Sequence, residues 1–244
     1  MVLCEVIDLS RHFGGNIALD GVALQFEPAS IVALIGPNGS GKTTLLNLLS
    51  GQLRPSAGSV RWQGQDITGW PPHRRCRAGI NRTFQVAQPF LDLTLSENVA
   101  LGLLYGGPSD APRGLRHALG RAQDLLGEVG LAAKAQAIAR HLSLGELKRL
   151  ELAMAVATRP ALLLVDEILA GQSPRSAQEL LAYLCRLRAG GVAISLVDHR
   201  LQALLAVADR VVALHQGRVI AAGNPEAVIK NPVVLDAYLG EPAG

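Results

Sequence analysis

Three groups of residues in this 244-residue chain have the types and spacing to act on a phosphate. Gly36-Pro37-Asn38-Gly39-Ser40-Gly41-Lys42-Thr43 fills G-x-x-x-x-G-K-[ST] at every specified position. Glycines there free the backbone to turn its N–H groups around phosphate oxygens. Lys42 would reach the β/γ-phosphates as a point charge, and the Thr43 hydroxyl suits Mg²⁺. Leu162-Leu163-Leu164-Val165-Asp166-Glu167 is an apolar run ending in two carboxylates. Asp166 could hold a metal's water shell, and Glu167 could polarise an attacking water. Leu142-Ser143-Leu144-Gly145-Glu146 is a small polar stretch before a helix-like run, Leu147–Thr158, whose N-terminus could face an anion. Together these groups predict binding and hydrolysis of a nucleoside triphosphate.

The elements that must position them follow from apolar periodicity. Ile31–Ile35 reads as a buried strand feeding the Gly-rich loop, and Thr44–Ser50 as the helix leaving it, whose N-terminus adds a partial positive charge. Leu162–Val165, Val192–Val197 and Val211–Leu214 are further consecutive apolar runs, as parallel strands covered on both faces require. With helices such as Arg175–Arg188 between them, they predict a doubly wound α/β core. The segment up to about Trp62 alternates more and carries turn signals at Gly14-Gly15, Asp20-Gly21 and Ser56-Ala57-Gly58, predicting an antiparallel β portion. From Gln88 to Thr158 the pattern becomes helical and Leu/Ala-rich, interrupted by a Gly/Pro-rich loop at Gly106–Pro112. Leu115, Leu119, Ala122, Leu125, Leu126 and Val129 recur at helical spacing and are expected to face a core.

Composition narrows the class. The formal charge of +3 is mild, and the basic run His73-Arg74-Arg75-Cys76-Arg77 is expected to be a solvated helix face, so no nucleic-acid partner is expected. Cys4, Cys76 and Cys185 are odd in number and lack C-x-x-C spacing, which argues against a disulfide framework or a zinc site and fits a reducing compartment. No charge-free segment is long enough to span a bilayer, and the N-terminus lacks a basic region and a cleavage site. A chain on the cytoplasmic side is expected, with an apolar face for a partner.

The order of these motifs resembles that of the ATP-binding-cassette (ABC) ATPases, whose signature reads L-S-G-G-Q. That resemblance implies a P-loop NTPase fold with an N-terminal antiparallel β portion and an inserted helical subdomain. It implies ATP and Mg²⁺ as ligands, with Gly36, Asn38, Gly39, Ser40, Gly41, Lys42, Thr43 and Thr44 cradling the phosphates. It further implies a head-to-tail dimer in which Ser143, Gly145 and Glu146 of one subunit cap the ATP held by the other. Gln85, in Asn81-Arg82-Thr83-Phe84-Gln85, resembles the glutamine that reaches Mg²⁺ and the attacking water, the metal being shared with Thr43 and Asp166. His199 resembles the switch histidine at the γ-phosphate, Phe13 the aromatic that stacks on adenine, and Gly171-Gln172-Ser173-Pro174 the D-loop. Glu167, His199, Gln85 and Lys42 would then form the catalytic set. A soluble ABC ATPase acting on nucleic acid or protein complexes is a further, less favoured alternative, since neither long coiled coils nor a second cassette is read in this sequence, and a P-loop kinase would leave the signature and His199 unexplained.

A narrower similarity covers nearly the whole chain. Phe13-Gly14-Gly15, Ala18-Leu19-Asp20-Gly21-Val22, Gly79–Gln85, Gln88-Pro89-Phe90, Leu93–Val99, Asp209-Arg210-Val211-Val212 and Ala237-Tyr238-Leu239-Gly240 resemble ATP-binding subunits of branched-chain amino-acid importers. Urea/amide importers and lipopolysaccharide-export ATPases share parts of the pattern and are the alternatives. The similarity implies multispanning membrane permeases, a second ATP-binding subunit (identical or sibling), and an external solute-binding protein acting indirectly. It places the chain peripherally on the cytoplasmic face of the inner membrane. One cassette over 1–244 is expected, with 1–87 and 159–244 as the nucleotide-binding core and 88–158 as the helical subdomain. Val86–Tyr105 is the expected permease groove. Several positions depart from the pattern: Pro28-Ala29-Ser30 stand for Gly-Glu, Leu144 for Gly or Tyr, Glu146 for Gln, Ile168 for Pro and Asp198 for Glu. Of these Glu146 is expected to matter most, since a carboxylate near a triphosphate repels it.

Overall fold

The computed structural model describes residues 2–83, 89–106 and 114–239. Along the chain run β1 (Cys4–Phe13), β2 (Asn16–Phe26), β3 (Ile31–Ile35), α1 (Lys42–Leu49), β4 (Ala57–Trp62) and β5 (Gln65–Asp66). Next come α2 (Pro72–Arg77), β6 (Ile80–Arg82), α3 (Leu95–Tyr105), α4 (Leu115–Glu128) and α5 (Leu144–Ala157). The remainder is β7 (Leu162–Asp166), α6 (Pro174–Ala189), β8 (Ala193–Val197), α7 (Leu201–Leu205), β9 (Arg210–His215), β10 (Arg218–Gly223), α8 (Pro225–Ile229) and α9 (Pro232–Leu239). These elements gather into two compact units, 1–72 with 193–244, and 73–192.

The first unit holds the expected antiparallel portion: β1 pairs with β2 on one side and β4 on the other, and β4 continues to β5. Its second sheet places β3 between β8 and β9, parallel to both, with β10 antiparallel to β9. All five residues of β3 are buried, as a central parallel strand requires. Asp209 ties the edge of this layout. Its carboxylate accepts from the Ile31 N–H at 2.8 Å, and its own N–H donates to the Ile31 carbonyl at 2.9 Å. Helix α1 buries Leu45, Leu46, Leu48 and Leu49.

In the second unit β6 runs parallel to β7, and α3 packs against α4 and α5. Three helix starts follow from their caps. Thr94 and Glu97 form a capping box on α3, Ser143 and Glu146 form one on α5, and Ser173 caps α6 ahead of Pro174. The α5 box moves the helix start to Leu144, ahead of the expected Leu147, so Gly145 and Glu146 belong to its first turn. Two other expectations are corrected here. Arg75 is fully buried rather than part of a solvated face, while His73, Arg74 and Arg77 are exposed. Leu115 is exposed because it is the first residue of α4, one turn before the buried stripe Ala118, Ala122 and Leu126. Tyr183, buried on α6, has its phenol pushed up to about 12 by loss of water.

Candidate functional site

In the first unit the phosphate loop leaves the end of β3 and enters α1. Gly36 has φ +145°, and a Cβ there would lie 2.1 Å from the Leu214 carbonyl oxygen, so only glycine fits. The Lys42 ammonium donates to the carbonyls of Gly36 and Pro37, both at 2.7 Å, and to Ser40 Oγ at 3.3 Å. It is thereby held against the loop. Ser40 is buried, Thr43 is exposed and Thr44 is half-buried in the first turn of α1. The loop's flank, Pro37, Asn38, Gly39 and Ser40, opens on a cavity of about 470 Å³ that also touches His215 and Asp236. From α9, the Tyr238 hydroxyl accepts the Gly36 N–H at 2.7 Å. Phe13 is 45% exposed at the end of β1, with the Arg11 guanidinium 4.5 Å from its ring centroid, so it is not a core residue. His199 is exposed just beyond β8.

In the second unit β7 carries Asp166 to its end, wholly buried. Thr83 Oγ1 accepts the Asp166 N–H at 3.0 Å, and Arg82 Nη2 lies 3.3 Å from Asp166 Oδ2. Arg82 Nε donates to the Thr83 carbonyl at 3.1 Å. Burial pulls the Arg82 guanidinium below its ordinary pKa, while the Asp166 and Glu151 carboxylates oppose that pull. Glu167 follows at φ +50°, a left-handed conformation that costs a non-glycine residue energy and is concentrated at functional positions. Ile168, in place of proline, is buried. Gln85 lies outside the described residues.

At the start of α5, a Cβ on Gly145 would lie 2.8 Å from the Gly171 carbonyl oxygen. The first turn of α5 therefore packs directly on the Gly171 backbone. Gln172 fastens the two, donating to the Gly145 carbonyl at 2.7 Å and accepting from Arg149 Nε at 3.2 Å. Ser143 N–H and Oγ–H both donate to Glu146 Oε2, at 3.0 and 2.9 Å. The other carboxylate oxygen, Oε1, takes a bond from Lys134 Nζ at 2.5 Å. That bond, then the Ser143 N–H, holds the Glu146 carboxyl below the usual carboxylate range. Ser143-x-x-Glu146 is a box pattern readable from sequence. Lys134, Arg149 and the contact of Arg82 with Asp166 leave no local signal.

The second unit also has a surface groove of about 310 Å³ lined by Arg82, Phe90, Leu101, Tyr105, Glu151 and Met154. Phe90 and Tyr105 are exposed, Leu93 is half-buried and Leu95 is core. Asn98, wholly buried, holds the Phe90 loop. It accepts from the Phe90 N–H at 2.7 Å and donates to the carbonyls of Phe90 and Thr94 at 3.0 and 2.9 Å. Residues 86–88 of the expected groove lie outside the described set.

A phosphate loop on a parallel strand, a second strand ending in Asp-Glu and a capped signature helix define a P-loop ATPase. A family profile described as "ABC transporter" matches residues 19–170, and one described as "Branched-chain amino acid ATP-binding cassette transporter" matches 218–244. The chain belongs to the ABC transporter family. It is 37% identical, over 98% of both chains, to the high-affinity branched-chain amino acid transport ATP-binding protein BraF of Pseudomonas aeruginosa. It is 36% identical, with the same coverage, to LivG of Escherichia coli, a protein of the same description. A crystal structure of a nucleotide-free ATP-binding cassette from an ABC transporter superposes with TM-score 0.89 at 30% identity, covering 99% of this chain and 100% of that one. ATP is its nucleotide, and the chain is the ATPase subunit of a transporter. Among the described residues no helix is long and apolar enough to cross a membrane.

Proposed function

We propose that this chain drives import of branched-chain amino acids, closing on ATP as a pair of ATP-binding subunits and pulling on separate membrane permeases. The reading rests chiefly on the near-complete alignment with BraF and LivG, whose descriptions name that transport. It gains from the branched-chain profile over the C-terminal segment. The chain would sit peripherally on the cytoplasmic face of the membrane. Residues 88–158 would meet the permease, with Phe90 and Tyr105 in the receiving groove. Residues 1–87 and 159–244 would serve the nucleotide.

In this reading the phosphate loop, Lys42 and the α1 N-terminus neutralise the triphosphate, and Phe13 stacks on adenine. Asp166, the Thr43 hydroxyl and Gln85 would bring hard oxygen donors of the kind that suits Mg²⁺. The described residues contain no cluster of three or more His, Cys, Asp or Glu that could hold a metal alone. When bound, Mg²⁺ would supply positive charge to the triphosphate. Glu167 takes a proton from the attacking water, and His199 contacts the γ-phosphate. Ser143, Gly145 and the α5 N-terminus cap the ATP of the second subunit.

Glu167→Gln tests the assignment. ATP binding should persist, an ATP-dependent dimer should accumulate in gel filtration, and hydrolysis should fall by roughly 10²–10⁴-fold. Hydrolysis at the parental rate would remove Glu167 from the base role. For the solute, ATPase in the reconstituted permease complex should respond to leucine, isoleucine or valine rather than to urea.

A further inference from the structure

Glu146 puts a carboxylate where the family pattern has a neutral glutamine, and the structure shows what answers it. Its two oxygens are divided. Oε2 serves the Ser143 N–H and hydroxyl, while Oε1 lies 2.5 Å from Lys134 Nζ. Lys134 ends a 3₁₀ turn, Ala132–Lys134, set between the buried Leu131 and Ala135. Its N–H donates to the Leu131 carbonyl at 3.0 Å, and its carbonyl accepts the Ala137 N–H at 2.8 Å. The backbone under Lys134 is therefore fixed, and its side chain, 47% exposed, reaches Glu146 from the surface.

We propose that Lys134 is a positioning residue of the signature: it cancels the Glu146 charge and keeps that carboxylate turned into the capping box, so that the Ser143 end of α5 meets ATP without net negative charge. This rests on the reading above, that this end caps the ATP of a second subunit. A lone carboxylate in the first turn suits a helix but repels a triphosphate. The Lys134–Glu146 pair is neutral as a unit and so stands in for the glutamine. In this arrangement the Ser143 hydroxyl gives its one proton to Glu146 Oε2 and must turn from it to donate to a phosphate. On this proposal, how far Glu146 weakens the sandwich depends on Lys134.

The test is a mutant cycle in the full chain, on the Glu167→Gln background, reading the ATP concentration for half-maximal dimer formation. Lys134→Met should raise it about tenfold by exposing the Glu146 charge, and the rise should shrink as salt goes from about 0.05 to 0.5 M. Lys134→Arg and Glu146→Gln should each stay within about threefold, and Lys134→Met/Glu146→Gln should return to that range because no charge remains. Thermal unfolding of each variant separates lost charge balance from lost fold. A Lys134→Met variant that dimerises like its parent, or a double variant as weak as Lys134→Met alone, would overturn the proposal. Ser143→Arg should abolish ATP-driven dimerisation. If it does not, the capping reading itself falls and takes the proposal with it. If it does while Lys134→Met is silent, only the charge-balancing role falls.

Discussion

Arg82 and Asp166 form a sealed pair: Nη2 to Oδ2 is 3.3 Å, and the two side chains are 4% and 0% exposed. The end of β6 thus grips the end of β7 twice, through this pair and through Thr83 Oγ1 on the Asp166 N–H. Arg82 and Thr83 thereby fix the Asp166 carboxylate at the end of β7. Buried pairs contribute little net stability against an apolar substitute, but breaking one leaves a charge stranded. Arg82→Met should therefore destabilise the chain by about 3–5 kcal/mol, read as a shift in the urea midpoint. Arg82→Lys should fall between, because an ammonium lacks the fork that reaches both Asp166 and the Thr83 carbonyl.

The pH response of the signature follows from Glu146. Its carboxyl titrates below its ordinary 4.5, first because Lys134 donates to it and then because the Ser143 N–H does. A depressed carboxylate contributes stability that is present above the ordinary value and lost as pH falls through the folded value. Carboxyl-carbon NMR should show the midpoint below 4.5, moving up in Lys134→Met. A parental midpoint at or above 4.5 would contradict the geometry.

Tyr238 gives the C-terminal helix a hold on the phosphate loop. Tyr238→Phe leaves the ring in place and removes the hydroxyl that accepts the Gly36 N–H. The expected cost is about 0.5–1.5 kcal/mol in stability, with ATP affinity weakened about fivefold as the loop's entry loosens. Titration calorimetry on the two proteins reads the second effect directly. Unchanged affinity would confine the contact to packing.

Ala29 carries strain that glycine would not. It sits exposed at φ +54°, where a Cβ costs about 1–2 kcal/mol, partly offset by glycine's greater freedom in the unfolded chain. Ala29→Gly should raise stability by about 0.5–1 kcal/mol without altering ATPase. Differential calorimetry measures the gain.

Phe90 and Asn98 separate recognition from support. Phe90 is 56% exposed, so Phe90→Ala should leave stability within about 0.5 kcal/mol while reducing capture by the permease in co-purification. Asn98→Ala strips the Phe90 loop of its bonds and should cost about 1–3 kcal/mol as well as capture. Capture undiminished by Phe90→Ala would remove the groove from the interface.

Much of the fold was legible. Ile31–Ile35 is a strand at the expected residues, and Arg175–Arg188 lies within α6, because continuous apolar runs and helical periodicity are local properties. Helix α5 started earlier than its apolar pattern because a cap, not periodicity, sets a helix's first turn. Arg75 defied its composition: a basic run says nothing about which of its members faces inward.

By itself the sequence determined the chemistry available: a loop whose glycines admit phosphate, a lysine and a threonine beside it, and a strand that ends at Asp166 with Glu167 next in line. Each of these is written in neighbouring residues. Tertiary structure alone decided how those groups are held. Tyr238 reaches Gly36 across 202 residues, Arg82 reaches Asp166 across 84, and Lys134 reaches Glu146 across 12. Such contacts depend on where backbones meet and which rotamers burial permits, and no local pattern records either.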